Sequence, residues 1–172
     1  MKKILSILLL VFVFCSPVLA FADGTTELTT FVPEAEYTLL IPGNMEIPYK
    51  STQQTIGTID IASASGFAEG KNLRVTVTYS PFTSPTTSTT IPYSLSLYAN
   101  GAKTFLEKKL SSGGTFLFQG SSYGSLSAYS ESSNTTCKNF TLEFNATAAS
   151  WGKALGGAYS SAITFTSEVY VE

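Results

Sequence analysis

Acid–base and nucleophilic chemistry needs side chains that this sequence uses sparingly. It contains no histidine. That removes Ser-His-Asp and Cys-His nucleophilic systems, the usual His-containing zinc sites and the commonest general base. Any catalysis would rest on carboxylates, Lys or Tyr. A glycosidase sets two carboxylates about 5 to 9.5 Å apart, facing each other across the substrate. Glu46, Asp60, Glu143 and Glu168 are the acids in strand-like stretches, and each falls on the polar phase of its strand. Solvated strand faces account for all four, so a paired-acid site is not expected. No D-x-D-x-D-G loop is present for calcium. The pairs Gly113-Gly114 and Gly156-Gly157 lack the strand-to-helix setting of a phosphate loop and read as turns. No metal and no cofactor is expected.

The chain has two cysteines, Cys15 and Cys137. Cys15 lies in an N-terminal apolar run, and Cys137 opens a strand pattern at Thr136-Cys137-Lys138-Asn139-Phe140. A half-buried structural thiol is the simpler reading of Cys137, with an intermolecular disulfide left open. Three N-x-[ST] sequons, at Asn134, Asn139 and Asn145, read as Thr-rich β sequence. They would become glycan acceptors only in a eukaryotic secretory pathway.

Aromatic rings are the remaining candidates for binding. Tyr37, Tyr49, Tyr79 and Tyr93 fall on core phases. Tyr98, Tyr123, Tyr129 and Tyr170 fall on outward or loop positions, and Trp151 is either a ligand platform or a plug beneath the final hairpin. Exposed rings on a β-sheet face can stack on sugars, and Tyr and Trp commonly anchor protein interfaces. The candidate ligand-binding residues are therefore Trp151, Tyr98, Tyr123 and Tyr129.

The elements that must position these rings are strands. Charged residues are 13% of the chain, about half the usual share, while apolar residues are 44%. This is the composition of an ordered β-rich domain. Met1-Lys2-Lys3, the apolar run from Ile4 to Cys15 and the small residues Ala20 and Ala22 predict a secretory signal peptide over 1–22. Pro17 and the A-x-A ending argue against a retained membrane anchor, and the bulky Phe14 before Cys15 argues against lipidation. The formal charge is −2 and becomes more negative once Lys2 and Lys3 leave. With no basic cluster, neither nucleic acid nor an anionic membrane has an electrostatic reason to bind.

Residues 23–33 read as a linker or flexible first segment ending at Pro33. Its Leu28, Phe31 and Val32 could add a strand to a neighbouring sheet edge. From Glu36 the apolar period is two. Tyr37, Leu39 and Ile41 alternate, then Met45, Ile47 and Tyr49, then Ile59 and Ile61. Leu73, Val75, Val77 and Tyr79 alternate with Arg74, Thr76 and Thr78, as in a half-buried antiparallel strand. Ser80–Thr90 reads as a Pro/Ser/Thr loop. Asn100-Gly101 between alternating runs predicts a hairpin with a type I′ turn. Short strands follow around Phe116 and Leu126, and a longer one carries Phe140, Leu142, Phe144 and Ala146. A helical turn is expected within Ala148–Leu155. The last strand places Ile163, Phe165, Val169 and Val171 on one face. Eight or nine strands predict an all-β, immunoglobulin-like antiparallel β-sandwich over 34–172, with a barrel as the alternative.

The terminal block Trp151-Gly152-Lys153-Ala154-Leu155-Gly156-Gly157-Ala158-Tyr159, continuing through Ala162-Ile163-Thr164-Phe165, resembles the ending of secreted bacterial β-sandwich families. The WxL-type surface proteins of Gram-positive bacteria are similar, as are spore-coat-U and pilin-like subunits. Phe67-Ala68-Glu69-Gly70-Lys71-Asn72-Leu73-Arg74-Val75-Thr76-Val77 fits the same style. The resemblance spans about a third of the chain. It implies surface display, adhesion or assembly rather than catalysis. Paired W-x-L motifs, a usher-pilin cysteine pair and a wall-sorting motif are absent from the sequence. The expectation is a non-enzymatic secreted or cell-surface structural or adhesive domain. Its partners would be a surface polymer, a glycan or other protein subunits, a second copy included. The alternative is a carbohydrate-binding module.

Overall fold

The computed structural model describes residues 34–101 and 103–172. The expected signal peptide, with Cys15, and the segment 23–33, with Leu28, Phe31 and Val32, lie outside the described residues. In chain order the first strands are β1 (Glu36–Leu40), β2 (Gln53–Ser65), β3 (Lys71–Tyr79), β4 (Phe82–Thr83), β5 (Thr90–Ile91) and β6 (Ser94–Asn100). Then come β7 (Thr104–Leu110), β8 (Gly114–Gly120), β9 (Leu126–Ser130), β10 (Thr135–Cys137) and β11 (Asn139–Asn145). A single-turn helix, α1 (Ala148–Trp151), precedes β12 (Ile163–Val171).

The fold is an all-β sandwich of antiparallel sheets. One five-stranded sheet runs β1-β2-β11-β6-β7 and the other β10-β9-β8-β3-β12, while β4 and β5 form a small ribbon. The two-residue period explains why these sheets stack. Leu73, Val75 and Val77 on β3 and Phe116 and Phe118 on β8 face Ile59 on β2, Leu95 and Leu97 on β6 and Phe140 and Leu142 on β11. All are buried in one cluster. Most alternate positions of the same strands face outward, among them Thr58, Arg74, Thr76, Thr141 and Glu143, while Asn72 and Ser96 are buried. Burying each apolar side chain of the cluster stabilises by about 1.5–3 kcal/mol, which favours this register over a one-residue slip that would invert every face.

A second, smaller core closes one end. Ile91, Phe144 and Trp151 are buried there, with Ile47, Phe82, Tyr93 and Tyr159 packed on them. Thr147 caps α1: its side chain accepts from the Ser150 backbone N–H, and the Ser150 hydroxyl accepts in return from the Thr147 N–H. This turn delivers Trp151 inward, and its Nε1 donates to the Ser51 carbonyl at 2.9 Å.

Several local expectations change. The described residues hold twelve strands rather than eight or nine, because β4, β5 and β10 are only two or three residues long. The segment Met45–Tyr49 is not a strand. Pro42 and Pro48 lack the N–H that a ladder requires, and the chain turns at Pro48–Ser51, with the Ser51 N–H donating to the Pro48 carbonyl at 2.9 Å. Tyr49 is accordingly not core but 69% exposed, its ring meeting Trp151 edge-on at 5.7 Å. The Asn100-Gly101 hairpin forms, but Asn100 pairs with Thr104. The connection is therefore three residues long, not a two-residue type I′ turn. At the end of β12 the apolar phase loses its cover, leaving Val169 41% and Val171 70% exposed.

Candidate functional site

The sheet registers decide which rings share a surface. On the outer face of the second sheet, Glu168 on β12 stands beside Arg74 on β3, Arg74 beside Leu117 on β8, Leu117 beside Tyr129 on β9, and Tyr129 beside Thr136 on β10. Tyr170 lies one outward position along β12 from Glu168. The Arg74 guanidinium sits 3.8 Å from the Tyr170 ring centroid and donates to Glu168 Oε1 at 3.2 Å. It is held between a π-face and a carboxylate. Below this row, Thr166, Thr76 and Thr115 form a second polar row.

Tyr129 and Tyr170 are three strand spacings apart and offset by two residues along the strands, about 16 Å in all. Both are half-buried, and the Tyr129 hydroxyl is tied to the Asn134 side chain. Asn134 adopts φ 53° in the β9–β10 turn, a left-handed conformation that Asn tolerates better than most residues. The face is thus a shallow strip of rings, a guanidinium and threonine hydroxyls.

The other rings lie elsewhere. Tyr98 is on the outer face of the first sheet, its hydroxyl donating to Glu143 Oε1 at 3.2 Å. Partial burial and the Glu143 charge both hold that phenol above its ordinary range. Gln53 donates to the other Glu143 oxygen at 2.7 Å, so this carboxylate links β2, β11 and β6. Tyr123 is 97% exposed at the tip of the β8–β9 turn. That turn is held by the Gly124 N–H donating to the Ser121 carbonyl at 2.9 Å, and Gly124 adopts φ 79°. Trp151 is 8% exposed and lies at the opposite end of the sandwich from Tyr123. Its faces are covered, so it is a core plug rather than a platform. The chain matches no protein-family model, no curated protein and no solved structure. The surface must therefore be read from its own chemistry.

A polar cluster between the sheets went unforeseen in the sequence. A β-bulge falls in the β6–β7 ladder: Leu97 pairs with Lys108 and Tyr98 with Leu106, leaving Glu107 without a partner residue. Its side chain turns inward and is buried. Glu107 Oε2 accepts from the Ser130 hydroxyl at 2.6 Å and the Ser132 hydroxyl at 2.8 Å. Its Oε1 accepts from the Ser132 N–H at 3.0 Å. Burial pushes the carboxyl pKa up, but the bonds from Ser130, Ser132 and the Glu131 backbone together hold it below its usual value. Beside it, Lys108 Nζ donates to the Thr115 carbonyl at 2.8 Å and to Glu131 at 2.5 Å. Burial, then the Glu107 charge, raises the Cys137 thiol pKa. Little thiolate is present at neutral pH, which suits a structural role. The one sequence sign of this arrangement is the five-residue spacing of the core-facing Phe105 and Leu110, which breaks the two-residue period.

Of the acids read as outward, Asp60, Glu143 and Glu168 are so placed, while Glu46 lies on the irregular segment before β2. Asp60 accepts from the Ile61 N–H at 2.8 Å and from Asn139 at 3.3 Å. Among the described residues no three His, Cys, Asp or Glu side chains group as a metal site.

Proposed function

We propose that this chain is a non-enzymatic structural or adhesive domain of immunoglobulin-like build, secreted by a bacterium or retained at its surface. One observation carries the reading. Asp60, Glu107, Glu131, Glu143 and Glu168 are each engaged in cross-strand or turn-holding contacts. Carboxylates used as struts hold a scaffold together and are poorly placed to shuttle protons. Fractionating the producing cells should recover the processed protein outside the cytosol, and a broad hydrolase screen should show no turnover. Recovery in the cytosol with residues 1–22 intact, or turnover that Glu143→Gln abolishes, would overturn the proposal.

A second reading, a carbohydrate-binding module, is favoured by the strip on the second sheet. Two rings about 16 Å apart, with the Arg74 guanidinium between them and a row of threonine hydroxyls alongside, suit a flat, extended glycan. Retention on immobilised polysaccharide should weaken about tenfold for Tyr170→Ala and for Tyr129→Ala, the size of an anchor truncation. Affinity electrophoresis reads this directly. Retention unchanged by both substitutions would remove this strip as the binding surface.

A further inference from the structure

The sandwich has four edge strands among the described residues, and three of them carry devices that discourage pairing with another chain. β1 is five residues long and bulged between Thr38 and Leu39. β7 is bulged, bears Lys108 and Lys109 and turns Glu107 inward. β10 has three residues. Short length, bulges, lysines and inward charges are how natural sheets blunt their edges. β12 has none of these. It is nine residues long, contains no Pro or Lys, and pairs with β3 through nine consecutive positions without a shift.

The direction of its free backbone groups follows from two hydrogen bonds. The Val77 carbonyl accepts from the Gly113 N–H immediately before β8. Odd-numbered residues of β3 therefore point their polar backbone toward β8, and even-numbered ones toward β12. The Glu172 N–H donating to the Gly70 carbonyl at 3.0 Å agrees. On β12 the even positions are satisfied by β3. Ile163, Phe165, Ser167, Val169 and Val171 turn their N–H and C=O groups to the open edge.

We infer that this edge pairs with the β12 of a second copy, antiparallel and about a two-fold axis at Ser167. In that register Ile163 meets Val171, Phe165 meets Val169, Thr164 meets Tyr170 and Thr166 meets Glu168. Apolar positions meet apolar ones, polar positions meet polar ones, and both exposed valines gain cover. No like charges oppose each other, whereas an axis at Glu168 would set two carboxylates face to face. Such a contact is isologous and closes on itself, joining two five-stranded sheets into one of ten. As an assembly contact it rests on the structural reading proposed above. The two fail separately, since cell fractionation tests export and sizing tests pairing.

Light scattering across a concentration series should show a monomer–dimer equilibrium. Val169→Lys should weaken it about a hundredfold, because the axis uses each substitution twice. A cysteine at 167, with Cys15 and Cys137 replaced by Ser, should cross-link on mild oxidation. Its mate lies about 5.5 Å away between Cα atoms in this register, inside disulfide range. The matching Thr164→Cys variant should not cross-link. A monomer at every concentration, or a dimer that survives Val169→Lys and gives no Ser167→Cys cross-link, would overturn the pairing.

Discussion

Phe140→Ala should cost the domain about 3–5 kcal/mol, the usual range for emptying an aromatic site in a packed core. Phe140 sits on the central strand of its sheet and is fully buried. Its ring meets Phe116 at 5.1 Å and Phe118 at 5.6 Å, both edge-on across the sandwich. These rings span the gap between the sheets. β11 and β8 are each paired on both sides, so the backbone has little freedom to collapse into the void. Domains of this size are commonly stable by about 5–15 kcal/mol, so the variant would lie near the threshold of folding. Urea denaturation should show the midpoint falling with little change in slope. Val171→Ala, at the uncovered end of β12, should stay within about 0.5 kcal/mol. A loss below about 1 kcal/mol at Phe140 would mean that the two sheets do not close over it.

The strands most legible in the sequence are those whose two faces have opposite environments. β3 and β11 alternate cleanly because each is paired on both sides, with one face against the other sheet and one turned outward. That contrast gives half-buried antiparallel strands, and the two separate sheet orders make them a sandwich rather than a barrel. Where the chain departs from it, the sequence pattern misleads. Met45, Ile47 and Tyr49 keep a two-residue period, yet Pro42 and Pro48 withhold the donors a strand requires. The chain there runs as an irregular segment over the smaller core. Val169 and Val171 keep the apolar phase, but β12 extends past its cover. Periodicity reports which side chains share a face and is silent on whether anything lies opposite.

The aromatic strip was legible only in part. Tyr170 reads as outward by phase and Tyr129 as outward or in a loop, and the two share one face. Their union with Arg74 depends on β3 lying between β12 and β8, a long-range pairing that no local pattern encodes. Trp151 had two readings that composition could not separate. The capped turn of α1 and the Ser51 carbonyl decide between them. Glu107 was hidden for a different reason. A bulge inserts one residue and changes which residues face inward, so an acid in a lysine-rich return strand became a buried strut.

That strut should govern the response to acid. With its folded pKa held below the ordinary carboxylate value, Glu107 contributes stability above its unfolded pKa, 4.5 for an unperturbed group. The contribution disappears as pH falls through the lower, folded value. Below that, both states hold the proton and nothing remains of the term. Neutralising the carboxylate weakens its bonds to Ser130 and Ser132, and those bonds join β7 of one sheet to the end of β9 and the β9–β10 turn of the other. Glu107→Ala removes the acceptor outright and leaves the fully buried Ser130 hydroxyl without its charged partner. The cost should be about 3 kcal/mol at pH 7, since hydrogen bonds to charged groups and orphaned buried donors each count for 1–3. Thermal unfolding at pH 7 and at pH 3 separates the effects. The native chain should lose the larger share of its stability on acidification, and the variant, already lacking the strut, should lose less. Equal acid sensitivity in the two proteins would place the acid-labile contact elsewhere, with the Lys108–Glu131 pair as the next to replace.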